Sequence, residues 1–110
     1  MTRGEVYSVN LDPTMGGEIR KTRPAVIISS NLLIDQMPTV VVCPITDATG
    51  KKSRIHVLIN RGEAGLSKDS VAHCAQIRSV DKGRLNAKMG NLSAAKMKEI
   101  DMGLREALGL

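Results

Sequence analysis

Lys21-Thr22-Arg23-Pro24-Ala25-Val26-Ile27-Ile28-Ser29 sets a cationic loop end against four successive apolar residues, three of them Val or Ile. A short uninterrupted apolar run rich in β-branched side chains predicts a strand covered on both faces. Pro24 has no N–H to give to a ladder, so it suits the first position of such a strand, and its ring holds Arg23 extended. Arg23 is therefore expected where a loop enters a rigid sheet. That placement fits an ordinary surface cation and equally a loop-borne functional one.

Working outward, the chain of 110 residues is long enough for one domain, residues 1–110, with a modest core and no need of disulfide or metal support. Its 42% hydrophobic share is ordinary for a globular domain, and no apolar run approaches the roughly 20 residues of a membrane span. Met1-Thr2-Arg3-Gly4-Glu5 lacks the apolar core of a signal peptide, so a cytoplasmic location is expected, with no membrane partner. Cys43 and Cys74 each lie among apolar residues and read as small buried hydrophobes, and they and the two histidines have no zinc-like spacing. A net charge of +5 points to an anionic partner, either nucleic acid or an acidic protein. Tyr7 is the only aromatic residue. Binding of single-stranded nucleic acid would thus rest on cations, amides and backbone groups rather than on aromatic stacking.

Before the opening stretch, alternation of Tyr7, Val9 and Leu11 predicts a strand over about Glu5–Leu11, ended by Asp12-Pro13-Thr14. Residues 15–22 are too long for a tight hairpin and read as a mobile, cationic loop. After it, Ser30 and Asn31 can cap a short helical turn before Pro38. Val40–Cys43 reads as a second strand buried on both faces, which Pro44-Ile45-Thr46-Asp47 leaves. Gly50–Arg54 is a cationic turn that suits a solvated hairpin tip or a functional patch. Further strands are expected at Ile55–Ile59, at Val71–Cys74, and at Gln76–Val80, whose alternation puts Gln76 and Arg78 on one face, and short irregular strands at Arg84-Leu85 and Lys88–Leu92. Ser93 offers a helix N-cap, Met97, Ile100, Leu104 and Leu108 follow at helical spacing, and Gly109 ends the helix. Gly103 within it costs about 1 kcal/mol relative to Ala. The expected architecture is mainly β with a C-terminal helix (α+β), a small and mostly antiparallel barrel closed by that helix.

Arg3-Gly4-Glu5-Val6-Tyr7, Leu11-Asp12-Pro13, Arg23-Pro24-Ala25-Val26-Ile27-Ile28, Pro44-Ile45-Thr46, Gly65-Leu66, Asp69-Ser70-Val71, Gln76-Ile77-Arg78-Ser79-Val80-Asp81, Arg84-Leu85 and Leu108-Gly109-Leu110 form an ordered series. Each is short, but together they span nearly the whole chain, and the series resembles the MazF/PemK/Kid family of toxin endoribonucleases. The resemblance implies an SH3-like antiparallel barrel of the MazF/CcdB type, a homodimer, and cofactor-free, metal-independent cleavage of single-stranded RNA at short motifs. It further implies inhibition by a cognate acidic, MazE-like antitoxin. Carried over residue by residue, the family's loop arginine falls on Arg23 and its hydroxyl residue after the third strand on Thr46, both expected to be catalytic, and Glu18 and Gln76 fall on its RNA-contacting positions; Gly17, Lys52 and Arg78 are expected to add to the RNA contact. Where some relatives have an Asp with an acid or base role, this chain has Ala75, and where some have an Arg it has His73.

Cleavage of this kind uses the RNA's own 2′-OH as nucleophile, leaving a 2′,3′-cyclic phosphate and a 5′-OH. The 2′ proton must leave, the phosphorane-like charge must be stabilised and the 5′ oxygen protonated. Arg23 suits the second task, since a guanidinium forks onto two phosphate oxygens, but it is a poor base. Thr46 can donate to a non-bridging oxygen. For acid or base work His73 is the economical candidate, against the plain reading of a packed strand histidine, and His56 and Glu18 stand behind it. The alternative from another class is a non-catalytic, CcdB-like gyrase poison of the same fold, which needs neither Arg23 nor Thr46.

Overall fold

β3 (Thr39–Asp47) is the strand on which the sheet turns in the computed structural model, which describes residues 1–48 and 53–110. One edge of β3 meets β2 (Thr22–Ile27) through Ala25↔Pro44, Val26↔Cys43 and Ile27↔Val42. The other edge is shared: β6 (Arg78–Asp81) pairs with its first half, from Thr39↔Asp81 to Val42↔Arg78, and β5 (Ser70–His73) with its end, from Ile45↔Ala72 to Asp47↔Ser70. β1 (Glu5–Asn10) lies between β2 and β7 (Leu85–Asn91), and β4 (His56–Ile59) covers the far edge of β5, all pairs being antiparallel. Two helices complete the chain, the short α1 (Asn31–Gln36) and the C-terminal α2 (Ala94–Leu108).

The alternation of side chains makes two cores. Val6, Val26, Cys43, Ile45, Val57 and Ala72 face α2 and meet Met97 and Ile100. Val9, Leu11, Ala25, Ile27, Val40, Val42 and Val80 face the other way, where Ile34 of α1 packs on them. β2 and β3 are therefore buried on both faces, as their uninterrupted apolar runs require, and each such Val or Ile contributes about 1.5–3 kcal/mol of burial.

Several expectations need correction. Pro44 does not end β3; it sits in the gap between the β6 and β5 pairings, where a residue without an N–H interrupts a ladder least. Pro24 is the third residue of β2 rather than the first, opposite Ser8 of β1, at a point where the pairing of β2 with β3 has already stopped at Ala25↔Pro44. Gln76 is not on a strand with Arg78. From Ala72 to Arg78 the chain takes six steps while β3 takes three, from Ile45 to Val42, and the surplus is extruded as a single 3₁₀ turn, Cys74–Gln76. β7 is one strand rather than two short ones, with register shifts against β1 between Val6 and Val9.

The barrel is looser than expected, because the sheet is an open path from β4 to β7. Where a closing pair would run, the Glu63–Gly65 turn packs instead: a Cβ at Gly90 of β7 would fall 2.6 Å from the carbonyl carbon of Ala64, so backbone lies directly on backbone. α2 is capped as its sequence predicts, with Ser93 Oγ accepting from Lys96 N at 3.1 Å and Gly109 at φ +71°. Its buried stripe is Met97, Ile100 and Gly103, with Leu104 half-buried, whereas Leu108 is 55% exposed and lies outside it. No helix among the described residues is long and apolar enough to cross a membrane.

Candidate active site

Arg23 and Thr46 come together through register. Pairing of β2 with β3 stops at Ala25↔Pro44, and the same register carried two residues further sets Arg23 abreast of Thr46 on the sheet face away from α2. The apolar core of that face ends here, so both residues are half-buried at its margin. Arg23 Nε donates to Arg20 O at 3.3 Å, which anchors the root of the guanidinium. Among the described residues its terminal amino groups have no protein partner and no carboxylate lies within ion-pair distance, so the fork is available to an anion.

Thr46 pairs with Val71 on its other side, and His73, two residues along β5, projects onto the same face. Its Nε2 lies 2.7 Å from Thr46 Oγ1. His56 is the cross-strand partner of His73, and the two rings meet edge to face with centroids 5.0 Å apart and planes at 84°. His56 Nδ1 is in turn 2.7 Å from Ser53 Oγ. Burial, and after it the neighbouring His56, hold the His73 pKa below the ordinary imidazole value, so this ring is neutral near pH 7. One face of four adjacent strands thus carries Arg23, Thr46, His73 and His56 in a row. Sequence reasoning weighed the two histidines separately, and only the β4–β5 register joins them.

The extruded turn forms a second part of the site. Gly17, Glu18, Ile19, Pro44, Ala75, Gln76, Ile77 and Arg78 line a groove of about 390 Å³. Four of the five predicted RNA contacts, Gly17, Glu18, Gln76 and Arg78, therefore share one groove, while Lys52 lies outside the described residues. Gln76 is a clamp here: its Oε1 accepts from Ile19 N at 2.8 Å and its Nε2 donates to Gly17 O at 3.2 Å. Arg78 Nη1 donates to Leu11 O at 2.9 Å, at the start of the same loop. Both side chains hold the 11–21 loop in shape before they can read anything. Glu18 is exposed and accepts from Met15 N at 2.5 Å within the loop.

Residues that sequence reasoning passed over fix the base of the loop. Asp12 Oδ1 accepts from Lys21 N at 3.1 Å, Leu11 N donates to Lys21 O at 3.0 Å, and Arg84 Nη1 donates to the carbonyls of Asn10 and Asp12. Lys21 itself takes φ +72°, a left-handed conformation unusual for a non-glycine residue, directly before β2. The pairing of Arg84-Leu85 with Leu11-Asp12-Pro13 in the motif series was the available signal.

A sequence model described as PemK-like, MazF-like toxin of type II toxin-antitoxin system matches residues 2–108. The chain belongs to this family. Curated relatives agree: it is 44% identical over 109 residues to the endoribonuclease MazF of Staphylococcus epidermidis, covering 98% of this chain and 91% of the relative. It is 42% identical over 111 residues to the endoribonuclease MazF of Staphylococcus saprophyticus, covering 100% and 92%. Among solved structures, MazF from Deinococcus radiodurans superposes with a TM-score of 0.87 at 22% identity, covering 100% of this chain and 97% of that one. A mycobacterial endoribonuclease in complex with its cognate antitoxin gives 0.83 at 23% identity, covering 100% and 96%. These two establish a shared fold for the toxin.

Proposed function

We propose that this toxin is a sequence-selective endoribonuclease that cuts single-stranded mRNA by attack of the 2′-OH on the adjacent phosphate, leaving 2′,3′-cyclic phosphate and 5′-OH ends. The observation that carries this reading is an Arg23 fork without a partner among the described residues, abreast of Thr46 and beside a groove lined by Gln76 and the 17–19 loop. Arg23 neutralises the phosphorane-like oxygens, and Thr46 hydrogen-bonds in the reaction centre. Substrate sequence is read in the groove, with Lys52 adding charge. No step of this chemistry requires a metal ion or cofactor.

The same reading makes residues 1–110 one toxin domain, acting as a homodimer in the cytoplasm and held inactive by a cognate acidic antitoxin. The net charge of +5 favours RNA and such an antitoxin alike. The gyrase-poison alternative is not favoured, since the relatives that match along the full chain are endoribonucleases.

Incubating the purified protein with a long synthetic RNA tests this reading. Defined fragments with cyclic-phosphate ends are expected, undiminished by EDTA, and Arg23→Ala and Thr46→Ala are each expected to cut roughly 100-fold more slowly or worse. Near-wild-type cleavage by both variants, or intact RNA together with stalled gyrase, would remove it.

A further inference from the structure

We propose that His73 is the proton acceptor of the reaction, taking the 2′-OH proton through the Thr46 hydroxyl, with His56 holding its ring; this rests on the endoribonuclease reading. A threonine hydroxyl alone is a poor base, because its alkoxide is far too costly near neutral pH. A hydroxyl 2.7 Å from an imidazole nitrogen is different, since it can pass a proton on as it receives one. With Nε2 unprotonated, Thr46 donates to His73 at 2.7 Å in preference to the Asp47 carbonyl at 3.5 Å, and its oxygen keeps lone pairs that can accept the 2′ proton. The 2′-O–H bond then breaks as a new Oγ1–H bond forms, and the original Oγ1–H bond breaks as Nε2–H forms. The 2′-oxygen pair makes the new P–O bond, the P–O5′ bond breaks, the leaving oxygen takes a proton from water, and the His73 imidazolium gives its proton to the hydroxide so formed. The chain supplies this base where Ala75 removes the carboxylate that some relatives carry.

The surroundings suit a base that is neutral before the reaction. On β4, His56 meets the ring edge to face and is itself hydrogen-bonded to Ser53, and its proximity opposes charge on His73, which favours the neutral ring before the reaction. On β3, Thr46 is the direct partner, and the next residue, Asp47, points to the other face and is tied to Lys68 at 3.5 Å. On β2, Arg23 stands beyond Thr46. Beneath the sheet, Cys43 and Cys74 are buried free thiols. The lowered pKa that follows from burial and from His56 keeps His73 ready to accept at neutral pH.

The other tautomer gives the opposite role: an Nε2–H would donate to Thr46 and make His73 a positioning residue only. Single-turnover cleavage of a short RNA across pH separates the two. In the wild-type protein the rate is expected to rise with pH and level off, with an inflection below the ordinary imidazole value of about 6.5. His73→Gln keeps an amide that can hydrogen-bond Thr46 but cannot titrate, so it is expected to cut about 100-fold more slowly and to lose the inflection. His73→Ala is expected to regain activity with added imidazole. A wild-type profile without the inflection, or a His73→Gln enzyme at near-wild-type rate, would overturn the assignment while leaving the endoribonuclease standing. Failure of wild-type protein to cut RNA would instead overturn the endoribonuclease reading.

Discussion

Gly103→Ala sets two effects of known size against each other. In an exposed helix interior, alanine is favoured over glycine by about 0.8–1.0 kcal/mol, so on propensity alone the substitution stabilises α2. The structure opposes this. A Cβ at Gly103 would lie 2.7 Å from Cys74 Sγ, 3.1 Å from the backbone oxygen of Arg54 and 3.4 Å from Cys74 Cβ. None of these is the loose end of a long side chain: Cys74 is buried in the extruded turn, and the Arg54 oxygen is main chain. Forcing a methyl group into such a contact costs about 1–3 kcal/mol. The overlap wins, and Gly103→Ala is expected to lose roughly 1 kcal/mol net, read as a lowered urea midpoint at fixed protein concentration with unchanged slope. Removing the sulfur should relieve the clash, so a Gly103→Ala, Cys74→Ala pair should show a favourable coupling above about 0.5 kcal/mol. Because Cys74 follows His73, the single variant should also slow RNA cleavage more than its lost stability explains. A Gly103→Ala protein as stable as wild type, or more so, would show that α2 does not press on the turn and would refute the packing argument.

Two further outcomes follow from single contacts. Glu5 is buried, accepts from Thr2 N at 2.6 Å and pairs with Lys88 Nζ at 2.6 Å, and the Lys88 hydrogen bond holds its pKa below the usual carboxylate value against the opposing effect of burial. A depressed folded-state pKa gives stability that is present above the unfolded value of about 4.3 and lost as pH falls through the folded one. Thermal melts of Glu5→Gln should accordingly show a flatter acid limb than wild type, and an unchanged limb would sink that account. Gln76→Ala removes two hydrogen bonds to the 17–19 backbone, each worth about 0.5–1.5 kcal/mol net, so amide exchange at Ile19 should quicken while α2 amides stay protected. Unchanged exchange at Ile19 would mean that Gln76 is not the clamp.

How much of this was legible in the sequence depends on what each feature needs. The double-sided burial of β2 and β3 is written in adjacent residues, as are the Ser30, Ser93 and Gly109 caps, and all were readable. The extruded turn was not, because Gln76-Ile77-Arg78 alternates well as a strand and only the β5–β3–β6 pairing reveals the three surplus steps. Nor was the Thr46–His73–His56 row, whose members are 27 and 17 residues apart in sequence and meet only through cross-strand register. Gly103 was read as a weakness of α2, since helix propensity is local and the Cys74 contact is not.

The reactive row lies where it does because β3 changes partners. From Val40 to Cys43 every side chain of the strand is apolar, and the strand lies between β6, paired from Thr39 to Val42, and β2, paired from Val42 to Pro44, so this half is given over to packing. At Pro44 the β2 ladder stops and the β6 ladder has given way, and two residues later the α1-side core has run out. Thr46 is the first residue of β3 past that point with a side chain on the open face, and Arg23 is its counterpart on β2. β5 pairs with Thr46 and β1 with Arg23, so both residues are held by the sheet although neither is fully buried. A proline at the change of partners therefore separates the packed half of the strand from its chemical half, which joins Pro44 and Thr46 in one structural argument.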